Sequence, residues 1–243
     1  MAPKRVGSAS TAGNMLVFDL DGVLVDVTAS FRVAIVRTVA ALGGGEVAPA
    51  EVQALKNAGG FNNDWDLSRE LLRQRGRDVE REQVIEVFNR FYLGTPGQKD
   101  GLIFEEHWLL PLPLLRELRR RHRLAIFTGR PRADAEFTLR HFGVESAFDP
   151  MLALEDVAAQ KPDPEGLLRL QREHGPLAAY IGDTVDDARC AAAVPLPFIG
   201  IVAPAVDHRA QLERSMSAIG CQFLAPDIAN AASHLLGAAA TAL

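Results

Sequence analysis

Met15-Leu16-Val17-Phe18-Asp19-Leu20-Asp21-Gly22 sets four apolar residues directly against two carboxylates and a glycine. A short unbroken apolar run suits a strand buried on both faces, as in a parallel sheet. The pattern recurs downstream. Leu124-Ala125-Ile126-Phe127 runs into Thr128-Gly129-Arg130, and Ala178-Ala179-Tyr180-Ile181 runs into Gly182-Asp183-Thr184. Pro197 to Val202 forms a further run, and Met151 to Leu154 a weaker one. Helical patterns alternate with these strands over Leu112–Arg121, Ala133–Phe142, Pro164–His174 and Asp186–Ala193. Cys221 to Leu236 reads as a short strand and a last helix begun near Asp227. Strand, polar turn and helix in alternation predict an α/β fold with a doubly wound, Rossmann-like parallel sheet in three layers. Ligands gather at the carboxyl ends of the strands in such sheets.

One stretch breaks the rhythm. Residues 27–106 read as helices only, over Thr28–Leu42, Ala50–Asn57, Asp64–Arg75 and Glu80–Tyr92. Gly43-Gly44-Gly45, Gly59-Gly60 and Gly76 separate them. This all-helical insertion is expected to form a cap domain over the polar end of the first strand, the alternative being a purely structural subdomain. Residues 15–26 and 107–243 then form the core, and residues 1–14 a flexible tail without the apolar run of a secretory signal.

The 243 residues suffice for one domain with a large insertion or two small ones. The chain is 48% hydrophobic and 23% charged, with no internal repeat. No stretch reaches the roughly 18 apolar residues of a membrane span. A net charge of −5 argues against a nucleic-acid partner. Cys190 and Cys221 lack metal-ligand spacing, and a reduced, cytoplasmic setting is expected. The six histidines show no spacing suited to a metal site or a triad. Oligomeric state is not legible.

Asp19 and Asp21 repel each other at this separation, so a cation or a shared proton is expected. Asp183 ends another strand, and Asp186 and Asp187 follow it. Oxygen-only ligands of this kind suit Mg²⁺.

The set Asp19-Leu20-Asp21-Gly22, Thr128-Gly129-Arg130, Lys161-Pro162 and Gly182-Asp183-Thr184-Val185-Asp186-Asp187 resembles the four motifs of the haloacid dehalogenase superfamily, in order. The insertion looks like that family's helical C1 cap. The resemblance implies a Mg²⁺-dependent phosphatase acting on a small phosphorylated metabolite, with Asp19 as nucleophile and Asp21 as acid and base. Thr128, Gly129 and Lys161 would hold the phosphoryl group. The metal would be bound by Asp19, the backbone carbonyl of Asp21 and Asp183, with Asp187 (or Asp186, one register earlier) completing the site. Dehalogenases and phosphonatases of the family lack the second acid, so Asp21 argues for phosphate esters. Lys56 alone keeps phosphonate chemistry open. A phosphohexomutase would share every core motif, and a non-catalytic phosphate-binding protein is the non-enzyme alternative. Lys56, Asn62, Asn63, Trp65 and Arg130 are candidate substrate contacts. Their plainer roles would be cap packing for Trp65, turns for the asparagines and a surface charge for Arg130.

Overall fold

A computed structural model describes residues 15–61 and 63–240, with side chains to residue 237. The expected tail at residues 1–14, and Asn62, lie outside the described residues. The chain opens with β1 (Met15–Phe18) and β2 (Val25–Asp26) and then enters four helices. These are α1 (Phe31–Ala41), α2 (Pro49–Ala58), α3 (Asp64–Gln74) and α4 (Arg81–Tyr92). It returns through β3 (His107–Trp108) and alternates from there: α5 (Leu112–Arg121), β4 (Leu124–Phe127), α6 (Arg132–His141), β5 (Met151–Leu152) and α7 (Glu165–His174). β6 (Leu177–Gly182), α8 (Val185–Ala192), β7 (Phe198–Ile201), α9 (Arg209–Ile219), β8 (Phe223–Ala225) and α10 (Ile228–Ala240) complete it.

Six strands form one parallel sheet in the order β5-β4-β1-β6-β7-β8. β1 lies inside it because every one of its residues is apolar and can be covered on both sides. The alternation of a strand sends Leu16 and Phe18 to one face, where they meet Leu115 and Leu118 of α5 and Ala231 and Ala232 of α10. Met15 and Val17 face the other way, toward Leu167 and Leu170 of α7 and Met216 of α9. Three layers result, as the sequence predicts. Truncating Phe18, which is wholly buried, to alanine would cost about 3–5 kcal/mol.

The helical insertion has its own buried cluster. Leu67 and Leu71 of α3, and Val84, Phe88 and Tyr92 of α4, repeat at helical spacing and close on Ile35 and Val39 of α1. Its entry and exit lie side by side, because β2 and β3 pair antiparallel, Val25 opposite Trp108 and Asp26 opposite His107. This ribbon was not expected from sequence; two residues per strand are too short to show alternation. The first insertion helix also begins later than predicted. Asp26 Oδ1 accepts from the Thr28 N–H at 2.9 Å, a turn that postpones helical geometry to Phe31. The weak strand at Met151 stops after two residues, and a single helical turn over Leu154–Asp156 follows. No helix among the described residues is long and apolar enough to cross a membrane.

Candidate active site

The carboxyl ends of β1, β4 and β6 converge, and the polar residues that follow each strand meet there. Asp19 continues β1 by one residue, its N–H donating to Ile181 O at 2.8 Å. That bond fixes the carboxylate at the sheet edge, 4% exposed. The chain then turns through Gly22 at φ +74°, where a side chain would collide with Asp183 Oδ2 at 2.0 Å. The first and fourth motifs are packed this tightly only because that position is glycine.

Lys161 lies beneath Asp19. Its Nζ is 2.9 Å from Asp19 Oδ1 and 2.8 Å from Asp187 Oδ1, and it sits over the rings of Phe127 and Tyr180. Asp187 is fixed further by Tyr180 OH, which donates to Oδ1 at 2.6 Å, and by a reciprocal cap with Thr184 at the start of α8. Burial alone would raise the Asp187 carboxyl. Lys161 and the hydrogen bonds outweigh it and hold the group below its usual range. Asp19 goes the other way. Burial, opposed by Lys161 and aided by Asp187 and Asp21, pushes it up to about 7. Asp183 is likewise raised well above the ordinary carboxylate range, by burial first and then by Asp19 and Asp187. Lys161 is raised too, its two carboxylates overcoming the cost of burial.

One ammonium is therefore surrounded by more negative charge than it can balance. Asp19, Asp183 and Asp187 can each bring an oxygen to within 4.8 Å of the others, a group able to hold a metal ion. The donors are all carboxylate oxygens, which suits Mg²⁺. The Asp21 carboxylate is not in this trio, since it turns to Arg130. Asp186 is outside it as well: its Oδ2 accepts the Gly60 N–H from the insertion at 2.7 Å, and its Oδ1 faces Arg189. Of the two registers left open by sequence, the fold brings Asp187 to the cluster.

Arg130, considered from sequence as a substrate contact or a surface charge, is 1% exposed and fully engaged. A guanidinium has five N–H donors, and all five are used. Nε donates to Asp21 Oδ1 at 3.0 Å and Nη2 to the same oxygen. Nη1 donates to Glu106 Oε2 at 3.0 Å and to Thr138 Oγ1 at 2.6 Å, and Nη2 to Glu106 Oε1 at 3.1 Å. No donor is left for a ligand. Thr128 is buried at the end of β4, its Oγ1 accepting from the Arg130 N–H at 3.1 Å, while Gly129 faces the open space beside Asp19.

That space is a cavity of about 470 Å³ between the sheet edge and the insertion. Asp19, Asp21 and Asp183 form its floor; Arg32, Lys56, Asn63, Trp65 and Tyr92 line its insertion side. Lys56 is paired with Asp64 at 2.8 Å, and Arg32 donates to Gln53 at 2.8 Å. Asn63 serves as the cap of α3, accepting from the N–H groups of Trp65 and Asp66, and Trp65 packs on the insertion's core with Arg81 over its ring. Sequence reasoning missed Arg32, Tyr92, Glu106 and Asp134. Asp134, in the first turn of α6, borders the cavity and is raised to about 6 by burial, Arg130 opposing. Nothing in local spacing separates these from ordinary helical residues.

Residues 14–194 match the family model of haloacid dehalogenase-like hydrolases. Among curated relatives, the chain is 36% identical over 214 residues to an imidazoleglycerol-phosphate dehydratase of Phytophthora nicotianae. The match takes in 84% of this chain but spans only 47% of that protein's length. It is 30% identical over 190 residues to a plasmid-borne phosphoglycolate phosphatase of Cupriavidus necator, covering 75% of this chain and 78% of the relative. A crystal structure described as a predicted phosphoglycolate phosphatase from Haemophilus somnus superposes with a TM-score of 0.72. The overlap is 93% of this chain and 99% of that one; at 17% identity it supports the fold alone.

Proposed function

The chain belongs to the haloacid dehalogenase-like hydrolase family, and from that premise we propose that it is a Mg²⁺-dependent phosphatase of small phosphorylated metabolites, working through a phosphorylated Asp19. The observation that carries this reading is the arrangement around the first loop. Asp19 faces the cavity with Lys161 2.9 Å from its carboxylate, and Asp21, two residues on, is held at the cavity floor.

In the first step an oxygen of Asp19 attacks phosphorus, and the ester P–O bond breaks as the Asp19–phosphorus bond forms. Asp21 gives its proton to the departing oxygen. In the second step Asp21 takes a proton from water as that water's oxygen bonds to phosphorus. The Asp19–phosphorus bond then breaks, restoring the carboxylate and releasing inorganic phosphate. Thr128 and Gly129 orient the phosphoryl group, and Lys161 favours the ionised form of Asp19 against burial and balances charge on the phosphoryl oxygens. Asp19 and Asp183, with Asp187 behind them, would hold Mg²⁺, which supplies positive charge to those oxygens when bound.

Residues 27–106 act in this reading as the cap, and residues 15–26 with 107–243 as the catalytic core. Arg32 and Lys56 on the cap side offer positive charge to a second anionic group. The carboxylate of phosphoglycolate, named for the Cupriavidus relative, is one such group. A Schiff-base route through Lys56 is disfavoured: burial favours the neutral amine, but Asp64, 2.8 Å away, helps to outweigh it and raise the Lys56 pKa. The test is inorganic phosphate release from a panel of phosphorylated metabolites with and without Mg²⁺, for wild type and Asp19→Asn. Metal-dependent turnover lost in the variant supports the reading. Interconversion of sugar phosphate isomers without phosphate release would replace it by a mutase.

A further inference from the structure

The family's four motifs assign no task to Glu106 or to the Arg130 side chain, yet these form a heavily hydrogen-bonded, buried ion pair at the seam between insertion and core. Glu106 immediately precedes β3, where the chain leaves the insertion. It is 4% exposed. Its Oε1 accepts from Ser30 Oγ at 3.0 Å and from Tyr92 OH at 3.1 Å. Its Oε2 accepts from Thr138 Oγ1 at 3.2 Å and from Arg130. Ser30 stands at the entry to α1, and Tyr92 ends α4. The ring of Phe31, the first residue of α1, lies 4.9 Å from the Arg130 guanidinium carbon. One carboxylate therefore binds both ends of the insertion and grips the guanidinium whose other edge holds Asp21.

We propose that Arg130 is a positioning residue for Asp21, and that Glu106 makes this positioning depend on how the insertion is seated. The proposal rests on the reading of Asp21 as the acid and base of a phosphatase. A carboxylate at a loop tip has two free torsions and would otherwise sample several directions. Two donors from a guanidinium, itself immobilised by three more hydrogen bonds, select one. Lysine cannot reproduce this, because an ammonium is a point charge without the planar fork. If the insertion lifts, Ser30, Tyr92 and Phe31 leave with it and the guanidinium loses its frame.

The experiment separates the two chemical steps. p-Nitrophenolate is a good leaving group and departs without a proton, so its initial burst reports attack by Asp19 alone. Steady turnover of the same ester requires Asp21 to activate water, and an alkyl ester such as 2-phosphoglycolate requires Asp21 in both steps. Arg130→Lys is expected to keep the p-nitrophenolate burst rate within about threefold of wild type while turnover of both esters falls at least about thirtyfold. KM should change by less than about threefold. Burst and turnover falling in step, or turnover left intact, would overturn the positioning role. Should Arg130→Lys fail to fold, Tyr92→Phe carries the test. It removes one O–H from Glu106 and keeps the ion pair, and turnover should fall about three- to tenfold with the burst unchanged. An equal loss in both phases, or none, overturns the proposal there too. A wild type that releases no phosphate from either ester removes the phosphatase reading itself, an outcome distinct from a working enzyme whose variant loses both phases together.

Discussion

Lys161 and Arg130 are two buried cations on either side of one loop, and they are built alike up to a point. Each takes an aspartate from that loop, Asp19 for the lysine and Asp21 for the arginine. Each has a second acid, Asp187 or Glu106, and each lies against aromatic side chains, two rings for Lys161 and one for Arg130. The difference lies in the donors and in what anchors the second acid. Lys161 has a compact head whose partners all come from the core. It sets the charge at Asp19, the nucleophile of the proposed reaction, and can follow an oxygen that moves. Arg130 has every donor engaged, and its second acid is tied to both ends of the insertion. One cation serves charge, the other direction. Proximity of a positive group to a catalytic carboxylate does not by itself say which.

That contrast can be broken at several points. The largest loss is expected at the lysine side. Asp19→Asn should abolish phosphate release by about 10⁴-fold or more, measured with saturating Mg²⁺. The same variant tests the charge imbalance. Because the Asp19 carboxyl is raised from 3.8 to about 7, the folded state binds its proton more tightly than the unfolded chain does. Its contribution to stability is therefore lost as pH rises between those values. Metal-free Asp19→Asn should melt above wild type at pH 8, with the gap closing toward pH 4; a constant gap would sink the assignment.

Lys161→Met should lower turnover by about 10²–10⁴-fold, since it removes charge from attack on phosphorus. A loss below tenfold would make the two cations more alike than their settings suggest. Glu106→Gln tests stability at the other cation. Breaking a buried pair while leaving its partner charged costs about 3–5 kcal/mol, to be read from denaturant unfolding. The smallest effect belongs to the contact between the insertion and α8. Asp186→Ala removes the acceptor of the Gly60 N–H and should raise KM about two- to fivefold, with little change in kcat. A large drop in kcat there would mean that Asp186 does more than seat the insertion.

The lysine side was far more legible in the sequence than the arginine side. Strand runs placed Asp19, Thr128 and Asp183 at strand ends, and a parallel sheet gathers strand ends at one edge. Order and spacing then assigned Lys161 and Asp187 through resemblance. The Arg130 network escaped because its partners lie 109 and 24 residues away and on different elements. No period or motif links Glu106 to Ser30 or Tyr92. Residue type left two tasks open in the insertion as well: Asn63, read as a substrate contact or a turn former, borders the cavity and caps α3 through its Oδ1. Asparagine suits either task, and only the position of the next helix decides between them.

The two-stranded ribbon of β2 and β3 has a consequence for engineering. Asp26 and His107 face each other across that ribbon, so residues 27–106 leave and rejoin the core at one spot. A graft there needs no long linker. A short turn could replace the whole insertion, or a foreign helical module could be spliced in, with the sheet's connectivity untouched. Such a replacement removes Glu106, Ser30 and Tyr92 together, so the incoming segment would have to bring its own carboxylate to the Arg130 guanidinium. Recombination between relatives would cut most cleanly if it carried Glu106 with the module it serves.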